Sequence, residues 1–416
     1  MRRLPAVPFF YTLEFVLSMP AFVVIAVYLV RDVGLSPLQL VLVGTVMEAA
    51  VFVSEVPTGV FADTYSRRAS LVVSFVVQGI GWMIVGSFAD FAAVLIGWAV
   101  WGFGYTFMSG AYEAWITDEV GPDNVGRVFA RGFQLSYAGA LVGLGLSIAL
   151  AAVSLRLAII SGGALLIAAG VATALLMPET GFTRASDRER RGSWTELRAT
   201  ASRGARYVRV QPLLLVIMVI TFFTGMSSEA VDRLTEAHFI RDIGLPRLGS
   251  LDPVVWFGIF GAGSLVIGLV ASQFLVRRFE RGEELSLARL LLALTAVQAI
   301  AMAAFGLAGS IVVALGALWL YRLMRALVAP VYLTWLNQNI TDSSVRATVI
   351  SIAGQSDAIG QAGGGPLLGG VGNLFGIRAA LLAGAAVLMP ALGLYARALR
   401  HGGREPELEA LPEAAP

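Results

Sequence analysis

The sequence is short of what a water-facing surface or a reactive centre is built from. Only 14% of its 416 residues are charged, roughly 45 fewer charges than the 25% typical of soluble domains would give. Cysteine is absent, which excludes disulfides and thiolate chemistry. Lysine is absent too, so all 30 basic residues are arginine, and no phosphate loop of the G-x-x-x-x-G-K-[ST] type can form. ATP drive within this chain is thereby excluded. The two histidines, His238 and His401, are too far apart for an H-E-x-x-H pair. No metal site, no cofactor and no enzymatic activity are expected. A net charge of +2 gives no electrostatic footprint for a nucleic-acid partner. What is present is apolar: 57% of residues are hydrophobic and the mean hydropathy is +0.77. Lipid has to be the solvent for most of the chain.

A helix needs about 20 apolar residues to cross the hydrocarbon core, and the sequence divides into twelve such runs. Six precede residue 178: Phe9 to Val30, Leu38 to Phe61, Leu71 to Phe88, Phe91 to Ala114, Phe129 to Ala152 and Leu157 to Met177. Six follow residue 211: Pro212 to Ala237, Pro253 to Val276, Ser286 to Ala308, Ser310 to Trp335, Ala347 to Gly370 and Arg378 to Tyr395. The expectation is an all-α integral membrane protein with 12 transmembrane helices. Residues 1–177 would form an N-terminal six-helix bundle, 178–211 a linker, 212–397 a C-terminal six-helix bundle and 398–416 a tail. The linker is rich in arginine, and an amphipathic surface helix around Trp194 to Val210 is one reading of it.

Arginine placement sets the orientation. With a cytoplasmic N-terminus, that side receives Arg2, Arg3, Arg67, Arg68, Arg127, Arg131, Arg277, Arg278, Arg281, Arg346, the linker cluster and the tail, whereas the other side keeps Arg31, Arg156, Arg241, Arg247 and Arg378. This asymmetry puts both termini in the cytoplasm, and the location expected is the cell inner membrane.

The halves also resemble one another. Trp115-Ile-Thr-Asp-Glu-Val120, leaving run four, aligns without a gap with Trp335-Leu-Asn-Gln-Asn-Ile340, leaving run ten. Gly59-Val-Phe-Ala-Asp63 with Arg67 and Arg68 aligns with Gly268-Leu-Val-Ala-Ser272 with Arg277 and Arg278. Duplicated halves are a sequence mark of many transporter folds.

The loop Gly59-Val-Phe-Ala-Asp63-Thr-Tyr-Ser66-Arg67-Arg68 resembles the signature between helices two and three of the major facilitator superfamily. Gly59, Asp63, Arg67 and Arg68 match, while Thr64 stands for a basic residue and Ser66 for a glycine. The resemblance implies two pseudo-symmetric bundles that rock about a central site, with this loop latching their cytoplasmic faces. It also implies that Asp63 caps the start of helix eleven and that Arg67 pairs with Asp118, or secondarily with Glu119. Within the superfamily the chain is similar to the drug/proton antiporter branch in Glu55-Val-Pro57-Thr-Gly59 and in the junction of helices four and five. It departs from that branch at Trp98, where an arginine is usual. The Gly-Pro-x-x-Gly-Gly element of helix five is also missing, and appears as residues 365–370 in helix eleven.

Ionisable groups at bilayer depth are costly and default to function. Glu48, Arg322 and Asp357 fall near mid-span; Glu14, Glu55, Glu113 and Arg325 fall in the cytoplasmic third; Glu229, Asp232, Arg233 and Glu236 fall at the far end of helix seven. Asp357 or Glu48, with Glu14 second, is the candidate proton-titrating group, and Arg322 or Arg325 its modulating partner; Glu55 shares a helix face with Glu48. The alternative is a static pair that fixes packing. Glu229 and Arg233 have the i,i+4 order of a simple intrahelical pair. Trp101, Tyr105, Met108 and Tyr112 recur at helical spacing on helix four and suit an adaptable pocket, or else plain packing. The resulting expectation is a monomeric secondary transporter in the lipid bilayer, most consistent with proton-coupled efflux of small hydrophobic drugs or antibiotics. The alternative is a proton-coupled symporter or facilitator that holds a small organic anion on Arg322 and Arg325.

Overall fold

The computed structural model describes residues 4–20, 22–182, 202–246, 254–264, 266–267, 286–341 and 345–401. These residues form sixteen helices and no strand. The first eight are α1 (Ala6–Leu17), α2 (Phe22–Arg31), α3 (Pro37–Thr64), α4 (Arg67–Ser87), α5 (Phe91–Thr106), α6 (Ala111–Val120), α7 (Pro122–Ala151) and α8 (Leu155–Leu176). There follow α9 (202–210) and α10 (Pro212–His238), the latter running into a π-turn at Phe239–Ile243. The remainder are α11 (Val254–Ser264), α12 (Leu287–Leu307), α13 (Ile311–Gln338), α14 (Arg346–Phe375), α15 (Ile377–Val387) and α16 (Met389–His401). Among the described residues, nine helical stretches are long and apolar enough to cross a membrane.

Helix ends follow side-chain chemistry. Ser36 and Gln39 form a reciprocal capping box with Pro37 in the first turn of α3, and Asp90 and Ser310 accept the third-position N–H of α5 and α13, satisfying donors that a helix start otherwise leaves orphaned. Three apolar runs contain breaks that hydropathy does not register. The first divides between α1 and α2 just before Phe22, where Pro20 cannot donate to a helical carbonyl. The fourth divides between α5 and α6 at Gly110, whose φ of 75° lies in the left-handed region that glycine adopts at little cost. The twelfth divides between α15 and α16, next to Pro390.

Among the described residues, the shared core of the two halves lies at one end. Let the latch end be the end where α3 passes into α4, and the far end its opposite. At the far end one continuous core takes Tyr28, Leu35 and Val41 from the first half and Ala230, Phe239, Met302 and Leu368 from the second. At the latch end there are two separate cores. One, around Phe10, Leu71, Phe75 and Trp115, belongs to the first half; the other, around Leu214, Val331, Trp335 and Val349, belongs to the second. The molecule is joined at the far end and divided at the latch end. Trp115 and Trp335, matched by the internal repeat, sit in these equivalent latch-end cores.

Close approach of α3 and α14 makes the seam. Gly365 lies against Thr45 and Val41, and Gly369 against Leu38, so small residues let two backbones meet. The Leu38 N–H donates to Asn373 Oδ1 at 3.3 Å, and Arg241 Nη2 donates to the Leu35 carbonyl at 2.7 Å. The expected surface helix in the linker is described over 202–210 alone. There it packs on the second half: Gly204 lies against Thr348, Val208 is buried, and the hydroxyls of Tyr207 and Thr341 are 2.9 Å apart. Linker residues 183–201, the Gly268 to Ser272 repeat with Arg277, Arg278 and Arg281, Arg247 and the tail beyond His401 lie outside the described residues.

Candidate functional site

A cavity of about 360 Å³ lies in the second half, walled by α10, α13 and α14 with Gln298 of α12. Its polar groups include Thr221, Thr224 and Ser228 of α10, Arg325 and Tyr332 of α13, Asp357 of α14 and Tyr395 of α16; Ile220, Val328 and Leu336 are among its apolar walls. The hydroxyls of Thr221 and Tyr332 are 2.7 Å apart and link α10 to α13. Asp357 Oδ2 accepts from Gln361 Nε2 at 2.7 Å, one turn along α14. Asp357 and Arg325 were legible in the sequence as intramembrane charges. The hydroxyls were missed, although Thr221, Thr224, Ser228 and Asp232 recur on one face of α10 at helical spacing, which is the signal that would have found them.

The two arginines of α13 make their hydrogen bonds to other groups than Asp357. Arg325 reaches Asp232, with Nη1 at 2.7 and 2.8 Å from its two carboxylate oxygens, and Arg322 donates to Ser264 Oγ at 2.8 Å. Neither is hydrogen-bonded to Asp357, although Arg325 lines the same cavity and lies within electrostatic range of it. The reason is geometric: Arg325 sits midway along α13, level with Asp232 rather than in the latch-side third. Glu229 and Arg233 pair at 3.5 Å, but Glu229 is 1% exposed, so this is no surface pair. A second cavity of about 180 Å³ lies at the seam, walled by Asp232, Arg233 and Glu236 of α10, by apolar residues of α2 and α3, and by Trp98. Glu48 of α3 lies within electrostatic range of Arg233 and Asp357. Around seam and cavity, among the described residues, five carboxylates (Glu48, Glu229, Asp232, Glu236, Asp357) accompany four guanidiniums (Arg233, Arg241, Arg322, Arg325).

The aromatic stripe divides. Trp101 and Tyr105 stack with ring centroids 5.5 Å apart, and Tyr105 lies within range of Glu48, Glu55 and Glu113. Tyr112 is instead 7% exposed and stacked on Phe10 at 5.2 Å in the latch-end core, against which Met108 also packs. The break between α5 and α6, in which Met108 itself lies, separates Trp101 and Tyr105 from Tyr112. Glu14 lies beside Tyr112, and Glu55 accepts from Ser109 Oγ at 3.4 Å; both belong to the first half, away from the larger cavity.

At the loop between α3 and α4, Arg67 forms an ion pair with Asp118 at 2.8 Å. Glu119 turns the other way and accepts from the backbone of Thr180 and Gly181. Asp63 is exposed, 3.8 Å from Arg67, and residues 342–344, which precede α14, lie outside the described residues. Gly59 has open space around it. Glu179 was not foreseen. It accepts from Ser66 Oγ at 2.8 Å and from the Arg68 N–H at 2.9 Å, placing a carboxylate at the start of α4 where the helix dipole favours it. Ser66, which replaces the usual glycine, caps the same helix through the Ala69 N–H.

Two helical halves with buried charge, joined at one end around a polar cavity, define a multi-pass membrane transporter. The family model described as Major Facilitator Superfamily matches residues 9–361, and the chain belongs to that superfamily, whose members are generally non-enzymatic. It is 25% identical over 365 residues, 86% of each chain, to the uncharacterised MFS-type transporter YxaM of Bacillus subtilis (strain 168). Its fold is similar to that of a point mutant of the nucleoside transporter NupG, with a TM-score of 0.76 at 13% identity, covering 94% of this chain and 98% of that one. It is also similar to an inward-facing, unoccupied bacterial homologue of the lysosomal transporter Spinster, with a TM-score of 0.70 at 16% identity and 95% coverage of both chains.

Proposed function

We propose that this chain is a secondary active transporter that exports small hydrophobic drugs or antibiotics in exchange for protons, by alternating access between the two halves. In this reading it is a monomer of the cell inner membrane, with 12 spans, two six-helix bundles (1–177 and 212–397) joined by the 178–211 linker, and both termini cytoplasmic. The latch end, divided here, then faces the cytoplasm, with Gly59, Asp63, Arg67, Arg68 and Asp118 as its latch.

One observation carries the reading: the larger cavity has apolar walls and a carboxylate, Asp357, to which no arginine is bonded. Among the described residues acids still outnumber arginines around seam and cavity, five to four, and charge at bilayer depth needs compensation. Protons or a cationic solute can supply it. The anion-carrying alternative needs Arg322 and Arg325 for its substrate, and both are engaged, by Ser264 and by Asp232. NupG and the POT proteins of related fold are described as nucleoside and peptide transporters, which supports a small-molecule substrate without naming it.

The test pairs drug susceptibility of cells with and without the gene against organic-anion uptake in membrane vesicles. Resistance to hydrophobic drugs that needs a pH gradient and is lost in Asp357→Asn supports export. Anion uptake that is unaffected by Asp357→Asn and abolished by Arg325→Gln contradicts it.

A further inference from the structure

Glu229 is 1% exposed, and neither of its carboxylate oxygens has a hydrogen-bond partner. Its close charge is Arg233, one turn along α10, at 3.5 Å. An ionised carboxylate has about four acceptor positions, and burial without donors is costly unless the charge is paired in good geometry. Arg233 in turn lies flat on the other half: a Cβ on Gly44 of α3 would fall within 2.6 Å of its Cζ. One turn beyond Gly44 on the same face of α3 stands Glu48, within range of both Arg233 and Glu229. Arg233 therefore has Glu229 on its own helix and Glu48 across the seam, while Glu236, further along α10 in the same seam cavity, lies within range of Arg322 as well as Arg233.

The other ionisable groups near Glu229 are few. Asp232 neighbours it on α10 and is held by Arg325 of α13. Asp357 of α14 and Glu55 of α3 lie within range of Glu48, and Arg325 lies within range of Asp357. From α14, Gly365 approaches Glu229 itself; α15 meets α10 through Gly384, beside Ser227 and Ala230. From α2, Ile25, Ala26, Leu29 and Val30 line the seam cavity. None of these last residues titrates.

The trio of Arg233, Glu229 and Glu48 is neutral only when it carries one proton, and neutrality is what a low-dielectric seam favours. Resting on the proton-coupled reading above, we infer that Glu229 is a proton-binding site of the seam, and that one proton shared between Glu229 and Glu48 decides which half Arg233 holds. With the proton on Glu48, Arg233 stays with Glu229 on α10, no ion pair of the trio crosses the seam, and the far end is free to part. With the proton on Glu229, Arg233 pairs with Glu48 and bridges the halves. Charge is conserved in both arrangements; the proton changes carboxylate and the guanidinium changes partner.

The absence of cysteine gives a clean reporter. Val43 is 2% exposed and lines the seam cavity, so V43C in the full-length protein in lipid nanodiscs reacts with a polar maleimide only when the far end parts. The expected result is opposite shifts: E48Q accelerates labelling and E229Q slows it, each at least about fivefold, the lower range of couplings between linked sites. Divided at each pH by the labelling rate of the same cysteine in denatured protein, which removes the thiol's own ionisation, the parent rate varies over about pH 5 to 8, and both variants lose that dependence. E229D, which keeps a titratable group, retains it and separates proton binding from damage to the fold. Shifts in the same direction, or an E229Q rate and pH profile equal to the parent's, overturn the inference. Labelling needs no substrate: if these rates hold while export shows no pH-gradient dependence, the proton site stands and proton-coupled export falls; the converse pattern removes the site alone.

Discussion

Arg325 of α13 donates through one nitrogen to both carboxylate oxygens of Asp232 on α10, at 2.7 and 2.8 Å, across 93 positions of sequence. The pair fastens two walls of the larger cavity and leaves Asp357 without a bonded arginine. Each partner remains partly exposed, at 44% and 38%, so solvent screening limits the energy to about 1 kcal/mol. Thermal unfolding of Asp232→Asn, Arg325→Gln and the double variant in detergent should show the double losing less than the sum of the singles, by about 0.5–1 kcal/mol. Strict additivity would mean the pair is idle.

At Asp357 a different property changes. Asparagine there preserves a hydrogen-bonding group toward Gln361 but removes the charge, so fold stability stays near the parent's. Under the proposed function, efflux of cationic drugs falls about tenfold or more, as loss of an unshared buried charge contact does, and ceases to respond to a pH gradient. Efflux assays in everted vesicles read both.

Ser66 bonds to Glu179 and caps α4. Ser66→Ala should cost about 1 kcal/mol, the usual value of a lost cap, whereas Ser66→Gly, the residue the superfamily signature carries, should cost only a few tenths through the cap. A melting series of the two, with Glu179→Gln alongside, checks the assignment.

Two neighbouring glycines of α14 separate packing from freedom. At Gly360 an added Cβ meets the backbone carbonyl of Phe222 on α10, while at Gly363 it meets nothing within 4 Å. Gly360→Ala should therefore destabilise by about 1–3 kcal/mol, because a packed backbone cannot step aside. Gly363→Ala should be neutral or stabilising by about 0.5–1 kcal/mol, since alanine is the better helix former. Equal effects would contradict the close packing of α10 and α14.

Much of the fold was legible because hydropathy is a one-dimensional signal. The long stretches of α3, α7 and α14 follow apolar runs in the sequence, extended at their ends by caps such as Ser36. The breaks near Pro20, Gly110 and Pro390 were not legible, since the flanking residues stay apolar and lipid masks the change of backbone direction. Intramembrane charges announced themselves by rarity, but their partners did not. Asp232 was grouped with the end of helix seven, and only the rotation of α10 against α13 brings it to Arg325. Glu179 was hidden in a loop, where carboxylates are ordinary, and only Ser66 in a glycine position hinted at an acceptor. The aromatic spacing of helix four promised one face; the break at Gly110 divided it, with Trp101 packed against the far-end core and Tyr112 in the latch-end core.

The central claim is that the two halves, joined at the far end and divided at the latch end, exchange those states. Spin-label distances measure it directly, because the chain has no native cysteine. One pair, at Gly126 and Arg346, spans the latch end, and a second, at Val153 and Leu374, spans the far end; all four positions are exposed. On lowering the pH or adding a transported drug, the account predicts a second population in which the latch-end distance shortens as the far-end distance lengthens. Distances that stay fixed, or that lengthen at both ends together, would contradict it.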